Sequence, residues 1–254
     1  RQDRRRGGGA GVCGGGRGEA VFNLDDARAD PKEYWKRIAL VGEPTGRLLY
    51  RAILEPKGAG CAEKDGWNLL ASADDWVGPV DAQVGPDGNV WVADWYNFIA
   101  QHNPTPTGFS TGKGAAYETS MRDHQRGRIY RIVYKGAPPA KKRSLSKANP
   151  AGLIEALAAD NMFWRLQAQR LLVERGQKDV VPQLVSLVRN PAVDGVGING
   201  GAFHALWTLQ GLGVLEAASG DAYAAAVGAL KHPAAGGGKA AAGVLPGQGG
   251  AGGA

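Results

Sequence analysis

The sequence predicts a β-plus-α chain: an antiparallel β region of one or two small sheets, then a short α-solenoid, between Gly-rich ends without a fold. Three observations predict it. Residues 80–134 alternate apolar and polar about the turn Gly85-Pro86-Asp87-Gly88, and the pattern resumes in Arg128–Tyr134 after a long polar excursion. Residues 149–232 change to a helical period, broken at Asp160-Asn161, Asn190-Pro191 and His232-Pro233. Most of the excess in the 40 glycines lies in Arg5–Gly18 and Gly236–Ala254, which hold almost no large apolar residue. Burial cannot offset chain entropy in such tracts, so both are expected to be disordered.

Taken in order, residues 1–20 are a basic tail and 21–134 the β region. Asp30–Lys36 reads as a short helical or irregular lead-in. Ile38–Val41 and Arg47–Leu54 flank Glu43-Pro44-Thr45-Gly46, with Pro and Gly where a hairpin needs them. Trp67–Ser72 is a third strand. Val80–Val84 and Val90–Trp95 form a second hairpin. Gly127–Tyr134 closes the set, with Ile129, Arg131 and Val133 on one face and Tyr130, Ile132 and Tyr134 on the other. Strands 80–134 make most of one propeller blade, so the region reads as a partial β-propeller of one to two antiparallel blades. Residues 135–148 are a basic Pro/Lys linker. Over 149–233, helix pairs carry Leu153, Leu157, Ala168 and Leu172, then Leu184, Val188, Ala205 and Leu209. This repeat resembles HEAT-type units, with a third, Ala225–Leu230 and Lys239–Leu245, eroded by glycines. Residues 234–254 are a low-complexity Gly/Ala tail.

The net charge of +6 invites a nucleic-acid reading that counting removes. Residues 1–20 contribute +3 and 135–147 contribute +5, which leaves the remainder at −2. The positive charge belongs to a tail and a linker, so no nucleic-acid partner is expected. Cys13 sits in the tail and Cys61 in an expected turn, so no disulfide framework or thiolate metal site is indicated. No apolar stretch is long enough for a membrane span, and no apolar core follows the basic N-terminus as a signal peptide requires.

The chemistry-bearing residues concentrate in the 31-residue loop Tyr96–Arg126 and its stems. A loop of that length without regular structure is uncommon unless functional. Because antiparallel strands alternate direction, this loop and Ser72–Pro79 emerge at the same end of the sheets, the end where a propeller keeps its functional face. His102 and His124 are the candidate acid/base groups. Asp94, Trp95, Asn97, Arg122 and Arg128 are candidate cofactor contacts. Asp74 and Asp75, on the neighbouring crossover, are a candidate Ca²⁺ pair. Each has a bland counterpart: Asp94 can end a strand by accepting from turn amides, the arginines can form structural ion pairs, and Asp74 and Asp75 can be a solvated turn. Arg128 and Arg131 are an odd number apart and face opposite sides of their strand. Trp164 and Trp207 read as helical core and His204 as a structural histidine.

Trp91-Val-Ala-Asp-Trp-Tyr-Asn-Phe-Ile-Ala-Gln-His-Asn-Pro-Thr-Pro106, Gly112-Lys-Gly-Ala-Ala-Tyr-Glu-Thr119 and Arg122-Asp-His-Gln-Arg-Gly-Arg-Ile-Tyr-Arg131 resemble large membrane-bound dehydrogenases of planctomycetes and related bacteria. Glu43–Gly46 and Trp67–Trp76 fit the same pattern. That family joins a propeller similar to quinoprotein glucose/sorbosone dehydrogenases to HEAT repeats and, commonly, a cytochrome c domain. The resemblance covers about residues 25–135 closely and 149–233 loosely. It implies an extracytoplasmic or periplasmic setting, a sugar-like substrate, pyrroloquinoline quinone with Ca²⁺, and an electron-accepting cytochrome. The chain holds no Cys-x-x-Cys-His haem motif and fewer than two blades. It therefore reads as a piece of a larger quinoprotein-type sugar or alcohol dehydrogenase, inactive alone. Its exposed β edge is expected to support self-association. The alternatives are a non-catalytic protein-interaction module and an eroded gene product.

Overall fold

A computed structural model of the chain describes residues 22–25, 27, 29–35, 37–57, 60–99, 105–112, 118–123, 125–140, 142–195 and 197–246. The chain divides into a β unit, Arg1–Ala140, and a helical unit, Lys141–Ala254, with the division inside the expected linker. The basic tail expected over residues 1–20 lies outside the described residues.

Among the described residues, two antiparallel sheets build the β unit. The first runs β1 (Phe22–Asp25), β2 (Ile38–Glu43), β3 (Leu48–Lys57) and β4 (Gly60–Ala71) in that order. The second runs β5 (Pro79–Val84), β6 (Val90–Asp94) and β7 (Arg128–Ile132). Alternation does the packing: Ile38, Leu40 and Leu49 join Ala82, Val90 and Val92 in one buried cluster, with Tyr130 and Ile132 against it. Each large side chain buried there contributes about 1.5–3 kcal/mol. One face of each sheet supplies the core, and Trp91, Ile129 and Arg131 are left on the outer face of the second.

Three expectations change. β1 was not anticipated, because Phe22–Asp25 is too short to show a period; it forms because β2 offers it an open edge. The third strand begins at Gly60, not Trp67, and pairs with β3 from Lys57↔Gly60 to Leu48↔Ala71. Cys61 consequently lies in a strand, not a turn. A bulge concealed the early part of that strand. The register shifts near Tyr50–Ala52, and Trp67 takes φ 66.

Six α-helices are described in the helical unit: α1 (Pro150–Ala156), α2 (Met162–Arg175), α3 (Val181–Arg189), α4 (Gly200–Gly211), α5 (Gly220–Gly228) and α6 (Ala235–Val244). Asparagine starts three of them. Asn149 accepts from the Gly152 amide (3.0 Å), Asn161 from Phe163 (2.8 Å) and Asn199 from Ala202 (2.9 Å). Gly176 closes α2 at φ 69, a left-handed position that suits glycine. α2, α4 and α6 pack in series, and α3 packs on α5. Leu153, Leu157, Leu172, Leu184, Leu206 and Leu209 are the fully buried anchors. Trp207 is a half-buried flank of this core and Trp164 is half-buried, so the tryptophans are not its centre.

The tract expected to be disordered from Gly236 contains α6. Ala240, Ala241 and Val244 are buried against the core, and the Trp207 ring lies 3.5 Å from where a Cβ on Gly243 would sit. Packing overrides the poor helix propensity of Gly236, Gly237 and Gly238. Residues 247–254 lie outside the described residues.

Candidate functional site

The rim at which β5 begins, β6 ends and β7 begins gathers most of the residues expected to carry function. Asp94, the last residue of β6, is 4% exposed. Its Oδ1 accepts from the amides of Gly78 and Tyr96 (both 2.8 Å), and its Oδ2 accepts from the Tyr130 hydroxyl (3.0 Å). One carboxylate thus ties the lead-in to β5, the chain leaving β6, and β7. Burial and the Asp94 charge both push the Tyr130 hydroxyl upward, against the opposing Arg128 guanidinium. Trp95 is exposed, and its amide continues the ladder to the Gly78 carbonyl at 2.9 Å.

Arg128 extends the network outward. Its Nη1 donates to the Tyr130 hydroxyl (3.1 Å) and to Asp74 Oδ2 (3.2 Å), and its guanidinium lies 3.8 Å from the centroid of the Tyr96 ring. Tyr96 reaches that position with φ 54, a strained value for a ring-bearing residue. Trp76 packs at a tilt on Tyr96 and on Phe98, at 5.8 and 6.0 Å between ring centroids. Asp74 shapes its own turn: its Oδ1 accepts from the Trp76 amide at 3.1 Å. The Arg128–Asp74 contact places the two ends of the excursion and the crossover 72–79 on one rim.

The stems of the excursion are clamped to each other. Asn97, buried, accepts from the Ile99 amide through Oδ1 (3.3 Å). Arg122, also buried, donates from Nη1 to the Ile99 carbonyl at 3.5 Å across 23 residues. Asp123 then accepts from the amides of Gln125 (2.8 Å) and Arg126 (3.1 Å). Those amides and the Arg126 guanidinium hold its carboxyl below the usual range. His102 and His124, the expected acid/base pair, lie outside the described residues.

Two contributors were missed in the sequence. Arg47, in the β2–β3 turn with φ 59, donates to the carbonyls of Asn97 (3.2 Å) and Phe98 (2.6 Å) and sits 5.5 Å from the Phe98 ring centroid. The first sheet thereby grips the root of the excursion 50 residues away. Nothing in Glu43-Pro-Thr-Gly-Arg47 announces a long-range donor. Tyr130 was read only as an alternating strand residue; the structure turns its face inward, where Asp94 lies.

A Ca²⁺ ion takes six to eight oxygen ligands, on the general pattern of such sites. Asp74 commits one carboxylate oxygen to Trp76 and the other to Arg128, while Asp75 is exposed on the turn. No group of three or more His, Cys, Asp or Glu side chains that could hold a metal occurs among the described residues. What the described residues show at Asp74 and Asp75 is a hydrogen-bonded, ion-paired turn. Arg128 is shared among Asp74, Tyr130 and Tyr96, and Asp94 already has three donors.

The opposite face of β7 is a separate arrangement. Arg131 pairs with Asp87 at 2.5 Å and lies 5.8 Å from the Trp91 ring centroid. Burial pushes the Asp87 carboxyl up, but hydrogen bonds from Trp91, Asn89 and Arg131 outweigh it and bring it down to about 2.

A family model described as a domain of unknown function (DUF7133) matches residues 10–136. No curated protein and no solved structure matches the chain.

Proposed function

The chain belongs to the DUF7133 family, and from that premise we propose that its β unit is one to two propeller-type blades whose excursion, Tyr96–Arg126, faces the ligand in a quinoprotein-type sugar or alcohol dehydrogenase. The observation that supports it most is the doubly clamped excursion. A long loop is held at both roots by Arg47, Asn97, Arg122 and Arg128 on the rim where the crossover 72–79 also emerges. Rigid roots beneath a long polar loop are how scaffolds present binding and catalytic groups. In this reading Asp94, Arg122 and Arg128 position the excursion, while the chemistry resides in the loop, where His102 and His124 are the acid/base candidates. The chain supplies a rim and not a redox centre; quinone, Ca²⁺ and the electron-accepting cytochrome belong to the parent assembly, in an extracytoplasmic setting.

The serial packing of α2, α4 and α6 beside α3 and α5 supports reading the helical unit as HEAT-like stacked hairpins. A second reading, a protein-interaction module, is favoured for that unit by Leu166 and Phe203, which are exposed on α2 and α4.

Dye reduction by the product of the complete gene, loaded with pyrroloquinoline quinone and Ca²⁺ and offered a panel of sugars and polyols, tests the proposal. Turnover is expected to fall at least about tenfold in His102→Ala or His124→Ala with the fold intact. Quinone uptake without reduction of dye on any substrate, or full turnover in both variants, would overturn it.

A further inference from the structure

We propose that the outer edge of β7 joins two copies of this chain through an antiparallel β7–β7 pairing about Tyr130, making one continuous six-stranded sheet. The argument begins with the edges. Among the described residues, the two sheets have four end strands: β1, β4, β5 and β7. β1 and β5 pack against one another. β4 is guarded. Its bulge places Trp67 at φ 66 and 80% exposed, and Glu63, Lys64 and Asp65 line its surface. Bulges and exposed charges are the devices that keep a strand edge from pairing with another chain.

β7 has neither device. It pairs with β6 in unbroken register from Val90↔Ile132 to Asp94↔Arg128, with no bulge. Two arginines lie on it, which would ordinarily repel a second copy. Both are neutralised within the molecule: Arg128 by Asp74 and the Tyr96 ring, Arg131 by Asp87 and the Trp91 ring. Those stacked guanidiniums also flatten the edge instead of reaching past it. Ile129, on the outer face of the strand, is 74% exposed.

The segment Arg128-Ile129-Tyr130-Arg131-Ile132 is suited to a partner identical to itself. In an antiparallel pair centred on Tyr130, Ile129 of one copy lies opposite Arg131 of the other, and Arg128 opposite Ile132. Each isoleucine then meets the aliphatic stem of an arginine whose charge is already paired, and no two arginines stand directly opposite. The inner-face alternation is retained across the junction, so the pairing does not slip a residue. A two-fold contact of this kind is isologous and closes at two copies.

The test uses the full 254-residue chain. Light scattering between about 5 and about 200 µM should show a shift from monomer toward dimer, as mass action requires. Ile129→Lys should hold the chain monomeric throughout, whereas Lys64→Ala on the guarded β4 edge should leave association unchanged. Deuterium uptake gives a second measure independent of any variant. Amides of residues 128–132 should exchange about tenfold more slowly at the high concentration than at the low one, with β4 unaffected. A monomer over the whole range, a dimer indifferent to Ile129→Lys, or concentration-independent exchange in β7 would overturn the proposal.

Discussion

Replacing Asp94 by alanine removes one acceptor from three donors that arrive from three parts of the β unit. The carboxylate is 4% exposed, so water does not readily take its place. The Gly78 amide, the Tyr96 amide and the Tyr130 hydroxyl, at 2.8, 2.8 and 3.0 Å, all lose their partner together. A hydrogen bond to a charged group contributes about 1.5–3 kcal/mol net, and partial relaxation of a rim site recovers part of that sum. The expected cost is about 3–5 kcal/mol. With a slope of about 1–2 kcal/mol/M for a unit of this size, the urea midpoint of the β unit should fall by about 1.5–5 M. Tryptophan fluorescence reports it, since Trp76 and Trp95 sit on the affected rim. Asp94→Asn keeps an oxygen for the two amides and turns an NH₂ to the Tyr130 oxygen, so it should cost only about 1–2 kcal/mol. An alanine variant whose midpoint stays within about 0.5 M of the parent would refute the anchoring role. Asp94 would then be free for a ligand, in conflict with the geometry above.

Three further outcomes follow from the same reasoning. His204 is buried in α4 with Nδ1 2.7 Å from Gln169 Oε1, and burial, aided by the Arg165 charge, pushes its pKa down to about 3. A depressed histidine binds its proton more readily when unfolded, so stability is present above the unfolded value of 6.5 and falls as pH drops from there toward 3. The loss between pH 7.5 and 5 should be about 2 kcal/mol in urea titrations of the helical unit, and it should vanish in His204→Gln. Gly66→Ala places a Cβ 2.6 Å from the Arg51 carbonyl oxygen across the β4 bulge, a backbone contact that cannot swing aside. A cost of about 2–4 kcal/mol is expected by thermal or chemical melting. Arg128→Gln breaks an ion pair whose partners are each about two-fifths exposed. Its equilibrium cost should stay under about 1 kcal/mol, so a larger loss by denaturant titration would show that the Tyr96 stack matters more than the charge.

Much of the architecture was legible because it depends on spacing alone. The alternation in Val80–Val84, Val90–Trp95 and Gly127–Tyr134 specifies which residues share a face, and Ala82, Val92, Tyr130 and Ile132 lie on the one that faces the core. The helical period from Leu153 to Val188 similarly identifies the buried anchors Leu153, Leu157, Leu172, Leu184 and Val188. Apolar residues at the right period have one way to leave water together, so no distant information is needed. The emergence of residues 72–79 and the long excursion at one rim was legible as well, because it follows from strand direction.

Tertiary structure alone decided the rest. Whether α6 forms in a glycine-rich tract depends on the surface that α4 and Trp207 offer it, which local propensity does not contain. The same holds for Arg47, whose partners are carbonyls 50 residues away. Sequence named Asp94, Arg128 and Asp74 as candidate ligand groups, but it could not say that Asp94 accepts from Gly78, Tyr96 and Tyr130 or that Arg128 pairs with Asp74. A hydrogen bond spends its directionality within about 3 Å, on the usual geometry. Residue type therefore shows what a side chain can bind, and only the folded neighbourhood shows what it has bound already.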